Sequence, residues 1–433
     1  MKRNSEYVKA PSNWALHRLQ AFAAGCCACF GAHASTVTFT LQQAFATPAA
    51  PYSVATADIN GDGKLDVITA NYNIAAEGAA VLLNTTSLNA STPSFAGWEG
   101  FAVVQNATTM TTADINTDGK PDLVVADDVG GVISVLLNTT ATGAGTSSFA
   151  TQKPFSVGSF GNEKPFFVTT ADINGDGKRD LIAADMAIGK ISVFMNTTAS
   201  GALTPSFATH VDFITGSGST SQPLSVAAVD INGDGKLDLV VANYGDNTFS
   251  VFLNTTPTNA ATPSFNAQQI FTAGTGPTSV VSTDLNGDGK PDVLIANCLA
   301  NTVWVLLSTT AHNASTASFG APGIYPAGVN AQSAFSVTTG DIDGDGKSDM
   351  VVAERADNLV AVFINATAAN ATTPSFSAAQ TFATAAYPLT VTAADVNGDG
   401  KLDLITSNSV DSSVSVLLNV SVPDRIFADG FGP

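Results

Sequence analysis

One nine-residue phrase, Asp58-Ile59-Asn60-Gly61-Asp62-Gly63-Lys64-Leu65-Asp66, constrains this chain more than anything else in it. Near-copies begin at Asp114, Asp172, Asp230, Asp284, Asp341 and Asp395, at intervals of 54 to 58 residues. Self-similarity at a fixed period of that length marks a repeat architecture, in which each unit buries its apolar surface only against its neighbours.

The residue types in the phrase point to a cation loop. Carboxylate or amide oxygens at positions 1, 3, 5 and 9, with a backbone carbonyl at position 7, form the all-oxygen shell that calcium prefers. In chain order the ligands assigned in this way are Asp58, Asn60, Asp62, Lys64 and Asp66, then Asp114, Asn116, Asp118, Lys120 and Asp122, then Asp172, Asn174, Asp176, Lys178 and Asp180. The fourth and fifth sets are Asp230, Asn232, Asp234, Lys236 and Asp238, and Asp284, Asn286, Asp288, Lys290 and Asp292. The last two are Asp341, Asp343, Asp345, Lys347 and Asp349, and Asp395, Asn397, Asp399, Lys401 and Asp403. Each lysine would serve through its backbone carbonyl. Position 6 is always Gly, which lets the backbone fold back around an ion. Position 3 is Asn except at Asp343, and position 4 is Gly except at Thr117.

An EF-hand loop needs Glu at position 12 and a helix on either side. Here position 12 is Thr, Val, Ala or Ile, and both flanks read as strand, so the EF-hand is excluded. A single loop of this kind could be an ordinary Asx-rich turn. Seven copies with Asp at positions 1, 5 and 9 throughout argue instead for bound calcium, up to seven ions.

Lys2, Arg3, Lys9 and Arg18 precede an apolar run from Leu19 to Ala32, and Ala32-His33-Ala34 supplies a small-x-small cleavage pattern. Residues 1–34 therefore read as a secretory signal peptide, and the expected location is extracellular or periplasmic. Ala24-Gly25-Cys26 is a fainter lipoprotein alternative. Cys26, Cys27 and Cys29 would leave with the leader, so only Cys298 would remain and no internal disulfide could form. No other apolar stretch is long enough to span a bilayer.

Beyond residue 34 the chain holds 13 basic and 35 acidic residues, a formal balance of −22, and 22 of those acids lie in the nine-residue phrases. Seven divalent ions would bring this to about −8. The acidity is therefore mostly ion site. No basic stripe exists, so nucleic acid is not an expected partner.

Before each phrase come short runs such as Ser53-Val54-Ala55-Thr56-Ala57, suited to a crowded inner strand. After it come apolar runs such as Leu123-Val124-Val125-Ala126, fit for burial on both faces. A third run alternates, as in Val303-Trp304-Val305-Leu306-Leu307 and Val414-Ser415-Val416-Leu417-Leu418, and in most repeats Asn-Thr-Thr, a polar connection and Pro-Ser-Phe follow. Phe95, Phe149, Phe207, Phe265, Phe319 and Phe376 mark a fourth, weaker strand, and Phe39 is a seventh such marker. The chain opens with a fourth strand and closes with a third. Seven four-stranded units with one strand displaced to the opposite terminus describe a closed ring, an all-β seven-bladed β-propeller of antiparallel blades over residues 35–423. A β-solenoid has shorter repeats and no need of a split unit. Residues 424–433 stand outside the repeat as a C-terminal tail.

The phrase Asp-x-Asn-Gly-Asp-Gly-Lys-x-Asp, followed by Leu-Val-Val-Ala-Asn and ending near Ser-Phe, resembles the FG-GAP/VCBS repeats of secreted bacterial proteins and the propeller of integrin alpha subunits. The resemblance covers about residues 36–420. It implies that the ion sits in the hairpin between the first two strands of a blade, on the lower face, and that partners bind the upper face. Among the fourth-strand markers the family's Phe-Gly occurs only at Phe319-Gly320, and its Gly-Ala-Pro is replaced by Ala-Asn or Ala-Asp in most repeats, so integrin ligand recognition does not carry over.

Catalysis would need a constellation outside the repeat. His210 and His312 sit in connecting segments with no Ser, Cys or carboxylate motif beside them, so each reads as an exposed structural residue. Cys298 reads as a buried thiol. Gly97 to Phe101, Phe160 to Lys164 and Gly323 to Pro326 place aromatics beside polar groups in what read as fourth-to-first connections, with packing over the sheets as the simpler role. Trp304 reads as core between blades. Six Asn-x-Ser/Thr triplets, at Asn84, Asn138, Asn196, Asn254, Asn365 and Asn419, share one repeat position, which favours a turn role over glycosylation. The sequence thus predicts a secreted, monomeric, calcium-binding propeller acting as a scaffold for an extracellular protein. A lectin-like carbohydrate-binding role is the alternative, and a polysaccharide-degrading enzyme a third.

Overall fold

The computed structural model describes residues 36–72, 77–158 and 163–422. The expected leader, its three cysteines, the tail at 424–433 and residues 160–162 lie outside the described residues. Among those described, 28 strands and no helix form seven antiparallel sheets of four strands each.

Blade 1 shows the pattern. Its strands are Pro51–Ala57, Asp66–Asn71, Ala79–Leu82 and Glu99–Phe101, paired in that order. The first strand begins at a Pro, where no ladder N–H is required, and the register shifts by one residue directly after it. The second strand is buried at all six residues, as are all seven second strands. Fourth strands alternate half-buried and exposed in most blades, as outer edges do.

The first strands of successive blades pack on one another, and that of blade 7 (Pro388–Ala394) packs on that of blade 1. The sheets therefore form a ring with the first strands around its axis. The apolar core is correspondingly divided into seven wedges, each filled from two adjacent blades. One wedge joins Ile68, Val81 and Leu83 of blade 1 to Met110, Leu123 and Val125 of blade 2, and another joins Val54 and Val67 to Ile405 and Val416 across the join. Trp304 is partly buried against the wedge between blades 4 and 5.

Ring closure follows the expected split. Gln43–Ala46 pairs antiparallel with Ser413–Leu417, so the strand nearest the N-terminus completes blade 7. The predicted fold class is the one observed.

The fourth strands lie later than expected. Each marker Phe forms an isolated bridge to the residue after the third strand, as Phe95 does with Asn84, and the strand itself starts about four residues on. The reason is aromatic packing between blades. Phe45, Phe101, Phe155, Phe213, Phe271, Tyr325 and Phe382 of the fourth strands stand edge-on to Phe95, Phe149, Phe207, Phe265, Phe319, Phe376 and Phe39 of the next blade, with centroids 4.8 to 5.2 Å apart. Consequently Glu99–Phe101 and Gly323–Pro326 are fourth strands at the outer rim, not connections. Tyr325 packs its ring on Phe376 and donates its hydroxyl to the Pro374 carbonyl, 2.9 Å away.

Candidate metal centres

Every nine-residue phrase closes the hairpin between a first and a second strand. Antiparallel order places these hairpins and the third-to-fourth connections on one face of the ring, and the other two classes of connection on the opposite face.

Within the first loop the side-chain oxygens converge on the loop's own backbone N–H groups. Asp58 accepts the N–H of Asp62 at 3.0 Å and of Gly63 at 2.8 Å, Asn60 Oδ1 accepts the N–H of Asp62, and Asp62 accepts the N–H of Lys64. Position 6 Gly has φ between 81° and 88° in all seven copies, a conformation that glycine alone adopts freely. Thr117 takes φ 53° at position 4, and its hydroxyl donates to Ser200 Oγ. Lys120, Lys178 and Lys401 direct their ammonium groups to carbonyls of the third-to-fourth connections or their remnant, Thr140, Thr198 and Ser421, away from the carboxylates.

Position 9 is a buried bracket. All seven of these Asp side chains are fully buried. One oxygen accepts the N–H of position 2 and the other the N–H of the residue two past the end of the third strand, at 2.7 to 3.0 Å. Burial pushes Asp66, Asp122, Asp180, Asp238 and Asp292 up to about 6, and Asp349 and Asp403 up to about 7. The amide bonds work against that rise, and neighbouring loop carboxylates add to it. A dication is the counter-charge such a cluster lacks.

The residue after the third strand ties neighbouring loops together. Asn138, for example, donates from Nδ2 to Pro121 O in its own loop and to Ile59 O in the preceding blade's loop, and accepts the N–H of Thr140. Asn84, Asn196, Asn254, Asn365 and Asn419 do the same. All six are buried, which bears out the turn role and leaves no access for a glycan. The seventh blade position of this kind is Ser308, which reaches neither carbonyl.

Position 3 carries a second tie. Six Asn side chains donate to a carbonyl in the next blade's third-to-fourth connection, such as Asn60 to Ala144 at 2.9 Å. Around Asp343 the pattern breaks. The connection that would cover its loop is described only up to residue 422 and from residue 36, and Asp343 Oδ2 is buried with no hydrogen-bond partner among the described residues. Asp341, Asp343 and Asp345 each place a carboxylate oxygen within 4.8 Å of the others. An orphaned buried oxygen in an all-oxygen cluster fits a hard cation.

Outside the loops, His312 is exposed and lies against Gly233 of a neighbouring loop. His210 departs from the expectation: a carboxylate does accompany it, with Nδ1 2.8 Å from Asp212, which also pairs with Lys190 at 2.9 Å. The partner is two residues along a strand, a spacing that reads as ordinary alternation in the sequence. Cys298 is buried, and burial pushes its thiol up.

Five overlapping segments, residues 114–183, 172–241, 230–295, 284–352 and 341–406, match the model of the FG-GAP-like repeat, and residues 50–83 match that of the FG-GAP repeat. No curated protein matches the sequence. Among solved structures, BBS1N in complex with ARL6DN, soaked with lead, superposes with a TM-score of 0.55 at 11% identity over 89% of this chain and 97% of that one. The same complex soaked with mercury gives 0.54 at 12% identity over 89% and 97%. At such identity the likeness is one of fold.

Proposed function

This chain belongs to the FG-GAP repeat family, and from that premise we propose that it is a secreted calcium-binding propeller that acts as a protein-binding or adhesion scaffold. The observation that carries the metal reading is the set of seven buried position 9 carboxylates beside loop acids, together with the partnerless Asp343 oxygen. Positions 1, 3, 5 and 9 and the position 7 carbonyl would hold each ion, which would supply the positive charge the loops lack. The chain's own contribution is mechanical. Asn ties at positions 3 and after the third strand join each loop to the adjacent blade, so an ordered loop stiffens two blades at once.

A protein partner is supported by the fold and by its likeness to BBS1N, which is described in complex with ARL6DN. Secretion rests on the leader pattern of residues 1–34. A direct test is ion counting alongside thermal unfolding of chelator-treated protein, before and after calcium is restored. Calcium should bind in about sevenfold excess over protein and raise the midpoint steeply. No bound ion and an unchanged midpoint would remove the metal reading.

A further inference from the structure

The face opposite the loops carries a cavity of about 340 Å³ at the ring axis, within the range of small-ligand sites. Its walls come from equivalent places in several blades. The second residue of the first strand supplies Tyr52, Phe166 and Phe335, and the residue just past the second strand supplies Tyr244 and Arg355. Tyr387, from a fourth-to-first connection, completes an aromatic cup.

Arg355 is the only charged side chain in that lining. Its guanidinium lies 4.6 Å from the Phe335 centroid and 5.6 Å from that of Tyr387. Nε donates to Gln332 O at 2.7 Å, and Nη2 donates to Gln332 Oε1 at 2.8 Å and meets Cys298 Sγ at 3.4 Å. Among the described residues Nη1 has no hydrogen-bond partner, and the two ion pairs both belong to Asp212. In a chain with a large acidic excess, an arginine fixed at the axis without a carboxylate is conspicuous. Asp128 is near Tyr52 but is not part of the lining.

The backbone adds a second observation. The residue before the first strand takes positive φ at Ala50, Gln222, Gly276 and Tyr387. Gly276 shows that glycine satisfies this position, yet Gln222 and Tyr387 hold strained conformations there and both line the cavity. Among the described residues the hydroxyls of Tyr52, Tyr244 and Tyr387 and the Gln222 side-chain amide have no hydrogen-bond partner, which leaves them available to a ligand.

We infer that this axial cavity binds a carboxylate carried on an apolar or aromatic body, with the free edge of Arg355 taking the carboxylate and the aromatic cup taking the body. The inference stands independently of calcium in the loops. Such a group could be a free small acid or the C-terminal residue of a polypeptide, and the recognition chemistry is the same.

Calorimetric titration of the purified protein with phenylacetate and with its uncharged counterpart 2-phenylethanol tests the charge requirement. Phenylacetate should bind at least about tenfold more tightly. A peptide ending in free Phe, against the same peptide amidated, separates the two sources. Preference for either carboxylate supports the site, and the one that binds identifies the source. Arg355→Met should abolish the preference, and Arg355→Lys should keep part of it, with unchanged thermal midpoints as the control for folding. If the wild-type protein prefers neither acid over alcohol nor free over amidated peptide, or binds neither acid nor peptide at a concentration on the order of 10 mM, the inference is wrong. That comparison needs no variant.

Discussion

Asn138 and Ser308 occupy the same repeat position and differ in one physical respect. The amide of Asn138 satisfies two loop carbonyls in different blades, whereas the Ser308 hydroxyl is short and turns to Thr310. Ser308→Asn should therefore stabilise the protein by on the order of 1 kcal/mol by reaching the Ile231 and Pro291 carbonyls, and Asn138→Ala should cost about 3 kcal/mol. Urea unfolding midpoints measure both, and a neutral or harmful Ser308→Asn would contradict the bracket. Glu354 gives a pH-dependent case. It is 3% exposed, and burial, then the nearby Asp357, push its carboxyl up to about 7 from an ordinary 4.5, against a hydrogen bond from Gly328. Because the folded value lies above the unfolded one, its contribution is complete below pH 4.5 and is lost as pH rises through about 7. Glu354→Gln should thus gain on the wild type by up to about 3 kcal/mol between pH 5 and pH 8. Parallel unfolding curves for the two proteins over that range would refute the assignment. Neither effect was legible in the sequence. The Asn-Thr-Thr turn was, but its carbonyl partner lies 79 residues earlier, and nothing local announces it.

At the scale of the element, the loop hairpin was the most legible feature, because its ligands and its Gly lie within nine residues and repeat seven times. What the sequence hid was why one copy differs. Asp343 alone replaces Asn at position 3, and its loop alone lacks a continuous third-to-fourth connection from the next blade. Where the other six spend an amide on that connection, this loop meets no such carbonyl among the described residues and carries an extra carboxylate. On the calcium reading, its added charge should make this the tightest site. Asp343→Asn should weaken one ion of the set by about tenfold and leave the others unchanged, as read by calcium titration with a chelator competitor. A uniform weakening of all the ions would mean that the loops do not act separately. The fourth strands were misplaced for a related reason. The marker Phe is set by a ring in the neighbouring sheet, so it precedes its strand instead of lying in it. The axial cavity escaped notice because no blade gives it more than three residues, and no window of sequence contains them together.

For the whole molecule, the decisive fact is that seven wedges close on themselves. In an open stack of repeats the terminal units have one neighbour each, and stability is a sum of unit and interface terms. Here the strand Gln43–Ala46 lies on Ser413–Leu417, Phe39 bridges Asn419 and stands 4.8 Å from Phe382, and Val37 and Phe39 are buried in the wedge between blades 6 and 7. Removing residues 36–46 would therefore take away one side of that wedge and leave Ser413–Leu417 as an open edge. Losing Phe39 alone should cost about 3–5 kcal/mol, and the bared edge should pair with a second molecule. The wedge between blades 7 and 1 loses only Phe45, and the other five have no residue in the deleted segment, so their blades should remain folded. The expected result is a lowered first transition and a concentration-dependent dimer by light scattering, both reversed by a synthetic peptide of residues 36–46. A truncated chain that stays monomeric with an unchanged midpoint would show that the ring is held by its wedges and not by its closing strand.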